Sequence, residues 1–478
     1  MKMRLVFRIL FFMFISFSIA FAEDSNTEIT YDKNDSDSQE EIHELMRKIS
    51  YLKTQVQNIN TSSSSEIVLG GSSQDEFKSD IVFDDSQNII NSSLAQSVID
   101  PRSIRSVDVA GQVPITSQGQ ETYIGSYSND NTISIGRLSS NLFAASILNQ
   151  RRNFDDYSLF FGGYLEVDPQ VWAGTSIDTK GGGVAKENGQ NIYLTTSTLY
   201  FISNIGHYTT AEFDFTTSGQ NVFNVQDSFV MFGNLDSTPW FVTVGKYRLS
   251  TGTYGGGGPW TSGINTTMFR PNRVANIALN YNGGTNNFNF TAFNSKNHPS
   301  FSTAYFDAVN LAGIQTGFNV GYIYDIRSAS SRFKDISTRV GEFNVDGTLN
   351  LTDILPGNLN LQTGWATTTD KSTQFNGVNN SYTGSWYVAS AYGLELFGKG
   401  QNINVSYGRS YDANNIAMPL SAGAGNIVSA SGILSQYIIS TQRAYLDNNV
   451  LFGPEYSRQN LYNGQNMNTV TLDMSVYI

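Results

Sequence analysis

The 478-residue chain contains no cysteine. No disulfide framework, thiolate metal site or cysteine nucleophile can therefore be built from it. Histidine is nearly as scarce, with three residues, His43, His207 and His298, far apart in sequence and without any metal-ligand spacing. Beyond the first two dozen residues there is no long apolar run, which leaves out a transmembrane helix. Basic residues are in deficit, 29 Lys and Arg against 41 Asp and Glu, a balance that disfavours nucleic acid as a partner. No Gly-x-Ser-x-Gly elbow and no Gly-Lys-Ser/Thr phosphate loop occurs, so neither a hydrolase nor a nucleotide-binding reading gains support. No cofactor is implied, and a non-enzyme is expected.

What is present points to strands. The last nine residues alternate strictly: Val470, Leu472, Met474, Val476 and Ile478 are apolar, whereas Thr471, Asp473 and Ser475 between them are polar. This period puts every apolar side chain on one face of a β-strand. A barrel that faces lipid outside and water inside must alternate in this way throughout. Similar stretches recur from about Glu121 onward: 159–167, 192–203, Ala211/Phe213/Phe215, Trp240/Val242/Val244, Ile277/Leu279/Tyr281, Phe288/Phe290/Ala292, and 311–325, 338–351, 358–367, 384–397, 401–411, 434–446 and 450–457. Phe229 and Met231 alternate less cleanly. A content of 40% hydrophobic residues with a mean hydropathy of −0.24 suits such strands, because alternation hides their apolar half. Twenty-five Tyr and 31 Phe would furnish aromatic girdles. Fourteen to 17 strands can be drawn, and an even count favours 16. The tight turns at 282–284 and 398–400 then fall on opposite sides of the barrel, so one strand between them is missed or invented, with 326–351 the suspected place.

The other end of the chain is an export signal. Lys2, Arg4 and Arg8 precede an apolar stretch at 9–19, and Ala20-Phe21-Ala22 offers a small-x-small cleavage site. The expected organisation is a signal peptide at 1–22, a disordered acidic leader at 23–41 and a helix at 42–60. A linker at 61–118, either outside the lumen or partly lumenal, and an outer-membrane barrel at 119–478 follow. Cleavage leaves 26 basic residues against 41 acidic ones. Ile42, Leu45, Ile49, Leu52, Val56 and Ile59 form an a/d seam of about three heptads. It reads as a periplasmic coiled coil through which copies of the chain would oligomerise, or as an amphipathic helix packed on its own barrel.

Between Arg248 and Arg273 lies the most unusual stretch. Gly255 to Gly258 are four consecutive glycines beside Pro259 and Trp260, which reads as a flexible hinge next to a rigid aromatic anchor. Folded inward, the segment would constrict the lumen, with Arg248, Arg270 and Arg273 presenting donors to carboxylates and Tyr254 and Trp260 supplying apolar walls. Left outside, it would be a solvated loop whose arginines pair with acidic neighbours. Pairs such as Asp84-Asp85 and Asp155-Asp156 read as solvated aspartates.

Several of these elements resemble one family. The export signal, the short heptad helix, Phe161-Gly-Gly-Tyr-Leu-Glu166, Val244-Gly-Lys with the glycine-rich run to Trp260, and Gly364-Trp-Ala-Thr367 together look like the LbtU/FslE/FupA family of outer-membrane iron-acquisition proteins. The resemblance implies a roughly 16-stranded transmembrane antiparallel barrel that takes up ferric siderophore, or ferrous iron in some paralogs, without a large plug. A chain this acidic would repel polycarboxylate siderophores unless their path is locally basic, which Arg248, Arg270 and Arg273 would provide. Ferrous iron would instead want lumenal carboxylates, for which Glu212 and Asp214 are candidates. Ile478 departs from the terminal Phe usual in outer-membrane barrels. Expected partners are outer-membrane lipid, iron or an iron–siderophore complex, and further copies of the chain. A general or anion-selective diffusion porin and an envelope structural or adhesion protein remain as other readings.

Overall fold

The computed structural model describes residues 157–477, apart from 218–222, 284–285, 312–313, 352–357, 397–398 and 446–449, together with 106–107, 115–116 and 148. The signal peptide, acidic leader, heptad helix, the rest of the linker and Ile478 lie outside the described residues. Within 61–118 the description covers only a two-residue ladder, Ser106–Val107 with Ile115–Thr116.

Sixteen antiparallel strands close into one barrel. In chain order they are β1 (Tyr157–Gly174), β2 (Asn188–Ile205), β3 (Thr209–Thr217), β4 (Asn224–Phe232), β5 (Trp240–Arg248), β6 (Arg273–Asn282), β7 (Asn286–Ser295) and β8 (His298–Leu311). Then come β9 (Ile314–Ile323), β10 (Glu342–Asn350), β11 (Asn358–Thr368), β12 (Gly384–Leu396), β13 (Lys399–Tyr411), β14 (Ile433–Tyr445), β15 (Val450–Leu461) and β16 (Asn466–Tyr477). Each strand pairs with the next, and β16 pairs with β1 to close the ring, with Ser475 opposite Glu166 and Thr471 opposite Gln170. A short helix, α1 (Ile264–Phe269), lies in the connection between β5 and β6.

The alternation sorts the side chains as hydrocarbon outside demands. On β16, Val470 and Leu472 are exposed while Thr469, Thr471, Asp473 and Ser475 are buried. On β6 and β7, Ile277, Leu279, Phe288 and Phe290 face out, and Asn276, Asn280, Asn287, Asn289 and Thr291 face in. Aromatic side chains on the outer wall pack along one rim, Phe301 stacked on Tyr324, Phe343 edge-on to Trp365, Trp386 edge-on to Tyr407, and Tyr407 tilted against Tyr437. Trp240 with Tyr281 and Tyr305 with Phe318 mark the opposite rim. Two such belts at the ends of an apolar band are the marks of a membrane-spanning barrel.

The inner wall is not polar everywhere, and large apolar side chains turn inward at places on several strands. In β4, Phe229 and Met231 point inward, and Phe229 packs against Tyr247 with ring centroids 5.2 Å apart. The uneven alternation of this segment in the sequence has that origin.

The missed strand is β8. His298 and Pro299 look like a loop in sequence, yet they begin a strand. Pro299 pairs with Asn294, and Lys296 and Asn297, both with positive φ, form the two-residue hairpin turn that precedes them. The suspected region 326–351 is instead mostly the loop 324–341 followed by β10. With β8 in place, the turns at 282–284 and 398–400 fall at the same end.

That end also holds Tyr157 and Tyr477, since β1 starts there and β16 finishes there. Its connections are short, such as 206–208 and 312–313. The other end carries the long ones: 175–187, 249–272, 324–341, 369–383 and 412–432. These loops fold together over the mouth. Their buried apolar side chains, among them Met268, Phe269, Phe333, Phe375, Met418 and Leu420, form a hydrophobic core inside the rim. The apolar packing of this protein is therefore concentrated in its loops, while most of the barrel's inner wall is polar.

Ile277 sits midway along β6 and is 57% exposed on the outer wall. An Arg there should destabilise the folded barrel by roughly 2–4 kcal/mol, the cost of a cation at mid-bilayer. Val184→Arg, in an exposed loop, should cost nothing measurable. Urea unfolding of the protein in lipid vesicles reads both, and equal stability of the two variants would contradict the outward placement of Ile277.

Candidate functional site

The connection between β5 and β6, residues 249–272, runs across the lumen. In a ring of 16 strands, β14 and β15 lie about half-way round from the β5–β6 hairpin, and the loop is bonded to both. Glu455 on β15 accepts from the Trp260 N–H at 2.9 Å and the Thr261 N–H at 2.9 Å. Gln436 on β14 donates to the Ser262 carbonyl at 3.1 Å. Along its course the loop also binds the intervening strands. Asn319 on β9 donates to the Thr251 carbonyl at 3.0 Å, and the Tyr254 hydroxyl donates to Glu342 on β10 at 2.6 Å. The Thr253 N–H reaches Asp346 at 3.2 Å, and Ser406 on β13 donates to the Gly256 carbonyl at 2.6 Å. Carboxylates that accept backbone N–H groups away from water are strong anchors.

The four glycines are part of this anchoring and do not act as the flexible hinge expected from sequence. All of 255–258 are buried. Gly256 has φ +87°, and a Cβ there would stand 2.5 Å from the Tyr387 ring. A Cβ on Gly258 would stand 2.2 Å from Glu455 Oε2. The run is glycine because the loop lies flush on the barrel wall at these positions.

Between the crossing loop and two others opens a cavity of 420 Å³. Arg248, Arg270 and Trp260 line it from the β5–β6 segment, Arg332 from the loop 324–341, and Ser421 and Gln459 from the far side. Trp260 is fixed by its indole N–H to the Ser421 carbonyl at 3.0 Å and stacks on Tyr193 at 6.2 Å. Arg248 also donates to the Pro271 carbonyl. Arg332 donates to the Thr267 carbonyl at 3.3 Å, and burial pulls its guanidinium below its usual value while leaving it charged at neutral pH. Three guanidinium groups and an indole at one cavity form a surface suited to planar anions such as carboxylates.

The remaining residues singled out in sequence go elsewhere. Arg273 does not line this cavity; it forms an ion pair with Asp227 at 2.8 Å on the β4–β6 wall. Tyr254 is fully buried as the clasp to Glu342 and is no wall of the cavity. Glu212 and Asp214 do face inward, beside Asp227. Asp214 accepts from the N–H groups of Gln226 at 3.0 Å and Asp227 at 2.7 Å. The nearby Arg273–Asp227 pair already supplies this group with a cation. His207 lies in the turn between β2 and β3, and His298 opens β8.

Arg332 and Glu455 were not legible as site residues. Arg332 comes from a loop without a motif. Glu455 shows in sequence only as an acidic residue at a polar position of an alternating strand.

The loop bearing Arg332 is held by Arg327, whose Nε and Nη2 donate to Asp325 at 3.0 and 2.8 Å. Burial pushes the Asp325 carboxyl up, but the hydrogen bonds and charge of Arg327 outweigh it and hold it below the usual carboxylate range. A depressed folded-state pKa stabilises above the unfolded value, about 3.9, and that stabilisation is lost as the pH falls through the folded one. The protection factors of amides in 325–337, corrected for the pH dependence of intrinsic exchange, should therefore be unchanged from pH 7 to 5 and fall only below about pH 4. Loss of protection already at pH 5–6 would contradict the pairing.

The anchoring of the crossing loop has its own test. Glu455→Ala removes the acceptor of two buried N–H groups, a loss of about 1.5–3 kcal/mol for each charge-assisted bond. The variant should be cleaved in 255–263 by a protease that leaves the wild type intact, and its bilayer conductance should rise and become noisy. Wild-type resistance and conductance would contradict the clamp.

A model of the family described as "Protein of unknown function (DUF3573)" matches residues 72–340. No curated protein matches the chain. Among solved structures, the chain is similar to the outer membrane channel DcaP of Acinetobacter baumannii, with a TM-score of 0.44 and 12% identity over 67% of this chain and 97% of that one. It is similar to OmpT of Vibrio cholerae in its trimer form, with a TM-score of 0.46 and 10% identity over 68% and 100%. For Salmonella typhi OmpF in complex with daunomycin the TM-score is 0.42, with 13% identity over 67% and 98%.

Proposed function

The chain belongs to the DUF3573 family, and we propose that it is an outer-membrane channel whose crossing loop makes a basic, anion-accepting constriction. The observation that carries this reading is the joint placement of Arg248, Arg270, Arg332 and Trp260 around one cavity at the loop end of a lipid-facing barrel. The apolar outer wall with its two aromatic belts supports residence in a bilayer, and the short connections beside both terminal strands support a periplasmic position for that end.

Selectivity follows from where the charge sits. The chain as a whole is acidic, so an anion gains nothing from its long-range field. At the mouth, however, three guanidinium groups lie within a cavity lined by three loops, where water screens them less than on an open surface. A solute with two or more carboxylates can engage more than one of them at once. An indole edge beside them suits a solute with an apolar backbone.

Ferric complexes of polycarboxylate siderophores fall in this class, and we propose them as the physiological cargo on the strength of the family resemblance seen in the sequence. The basic cavity supports that cargo better than ferrous iron, which its three arginines would repel. A role as a structural or adhesive envelope protein leaves the arginine-lined cavity without a purpose. As a channel the protein would act by selection and diffusion, with no bond made or broken.

The test is uptake of labelled iron by cells carrying the Arg248→Ala/Arg270→Ala/Arg332→Ala protein as their only copy. Ferric polycarboxylate siderophore uptake should fall several-fold while ferrous uptake stays level. Unchanged siderophore uptake in cells with normal barrel assembly would sink the iron-chelate reading. Arg273→Ala, away from the cavity, should leave siderophore uptake intact.

A further inference from the structure

A second charged cluster lies at the seam where the barrel closes. Glu166 and Asp168 on β1 and Asp473 on β16 all face inward and are buried, at 2%, 0% and 0% exposure. Their carboxylate oxygens come within 4.8 Å of one another. Asp168 and Glu455 both repel the charge on Asp473, while Gln442 and Glu166 lie within hydrogen-bonding reach of its carboxyl. Three buried carboxylates this close repel strongly unless a cation or shared protons lie between them.

The hydrogen bonds around the cluster leave specific gaps. Asp168 is oriented by the Thr195 hydroxyl and the Met474 N–H at 3.3 Å. Asp473 Oδ2 accepts from the Gln442 amide. Its other oxygen, Oδ1, is buried with no partner, as are the Gln442 Oε1 and the Ser475 Oγ. Ser475 stands directly opposite Glu166 in the β1–β16 register, and both are on the inner face. Buried oxygens that meet no donor are rare in folded proteins and call for a ligand that accepts their lone pairs.

We propose that Glu166, Asp168 and Asp473 bind one divalent cation, calcium by preference, with Ser475 and Gln442 offering neutral oxygens. The ligand set is all oxygen, which selects hard cations over zinc, copper or iron–sulfur chemistry. Magnesium keeps most of its water and is seldom held by an all-protein cage, whereas calcium takes six to eight oxygens in adaptable geometry. Two of the carboxylates come from the first strand of the ring and one from the last. The ion would therefore join the two ends of the barrel across the one seam that no hairpin turn holds. It would also neutralise charge beside Glu455, which anchors the crossing loop. The inference stands apart from the anion reading, since it rests on a different set of residues and on none of the arginines.

The experiment uses the full-length protein in detergent, stripped with a chelator and titrated with CaCl₂ by calorimetry, with Mn²⁺ as a paramagnetic probe. The wild type should take up one Ca²⁺, Ca²⁺ should displace Mn²⁺ ahead of Mg²⁺, and the unfolding midpoint should rise with Ca²⁺. Asp473→Asn, and separately Glu166→Gln, should weaken Ca²⁺ binding roughly ten-fold or more and abolish that rise. No uptake by the wild type at millimolar Ca²⁺ would overturn the proposal, with shared protons then left to hold the carboxylates together. Equal binding by the wild type and both variants would overturn it too, by placing the ion elsewhere. Should Asp473→Asn fail to assemble, Glu166→Gln alone decides.

Discussion

Hydrocarbon offers no hydrogen bonds, and the rest of this structure depends on that constraint. A sheet in a bilayer cannot leave an edge, because each unpaired N–H or C=O would cost several kcal/mol. The first strand must therefore meet the last, as β1 and β16 do. Closure fixes an even ring for a chain whose described ends lie together, and it splits every strand into an apolar outer face and an enclosed inner one. The inner face can then hold carboxylates and amides that no outer position would tolerate. The acidic cluster at the seam and the anchors of the crossing loop both exist because the enclosed wall is available to them.

The same division explains why the apolar core lies at the mouth. The outer apolar side chains are spent on lipid. Loops that fold inward need their own hydrophobic packing, and Phe269, Phe333, Phe375 and Met418 provide it. Carboxylates on the inner wall complete the arrangement, with Glu455, Glu342 and Asp346 accepting from the loop's N–H and hydroxyl groups. The cavity with its arginines is what remains between loops fixed in this way. Its chemistry comes from residues whose spacing in the chain exceeds eighty positions, as for Arg248 and Arg332.

Sequence made the wall legible because alternation with a period of two is a local signal. Val470 and Leu472 against Thr471 and Asp473 state the outer and inner faces without further help, and most strands repeat the pattern. It failed where local chemistry mimicked something else. His298-Pro299 reads as a loop because Pro disrupts ladders, yet at the second residue of β8 the missing N–H is tolerated. Phe229 and Met231 alternate in the reverse sense because they pack inside, against Tyr247. The glycine run was noticed, but its reason was not: Gly258 answers to Glu455, 197 positions later, and no local pattern carries that contact. Arg273 looked equivalent to Arg248 and Arg270 until Asp227 claimed it. The seam cluster was invisible for a related reason, since Glu166 and Asp473 become neighbours only through closure of the ring.

The central claim is that the loop crossing the lumen sets a basic constriction in an otherwise acidic channel. Its most direct test is the zero-current potential of the purified wild-type protein in a planar bilayer under a potassium chloride gradient. The account predicts a potential of the sign for chloride over potassium. A cation-selective potential, or no conductance at all, would contradict it.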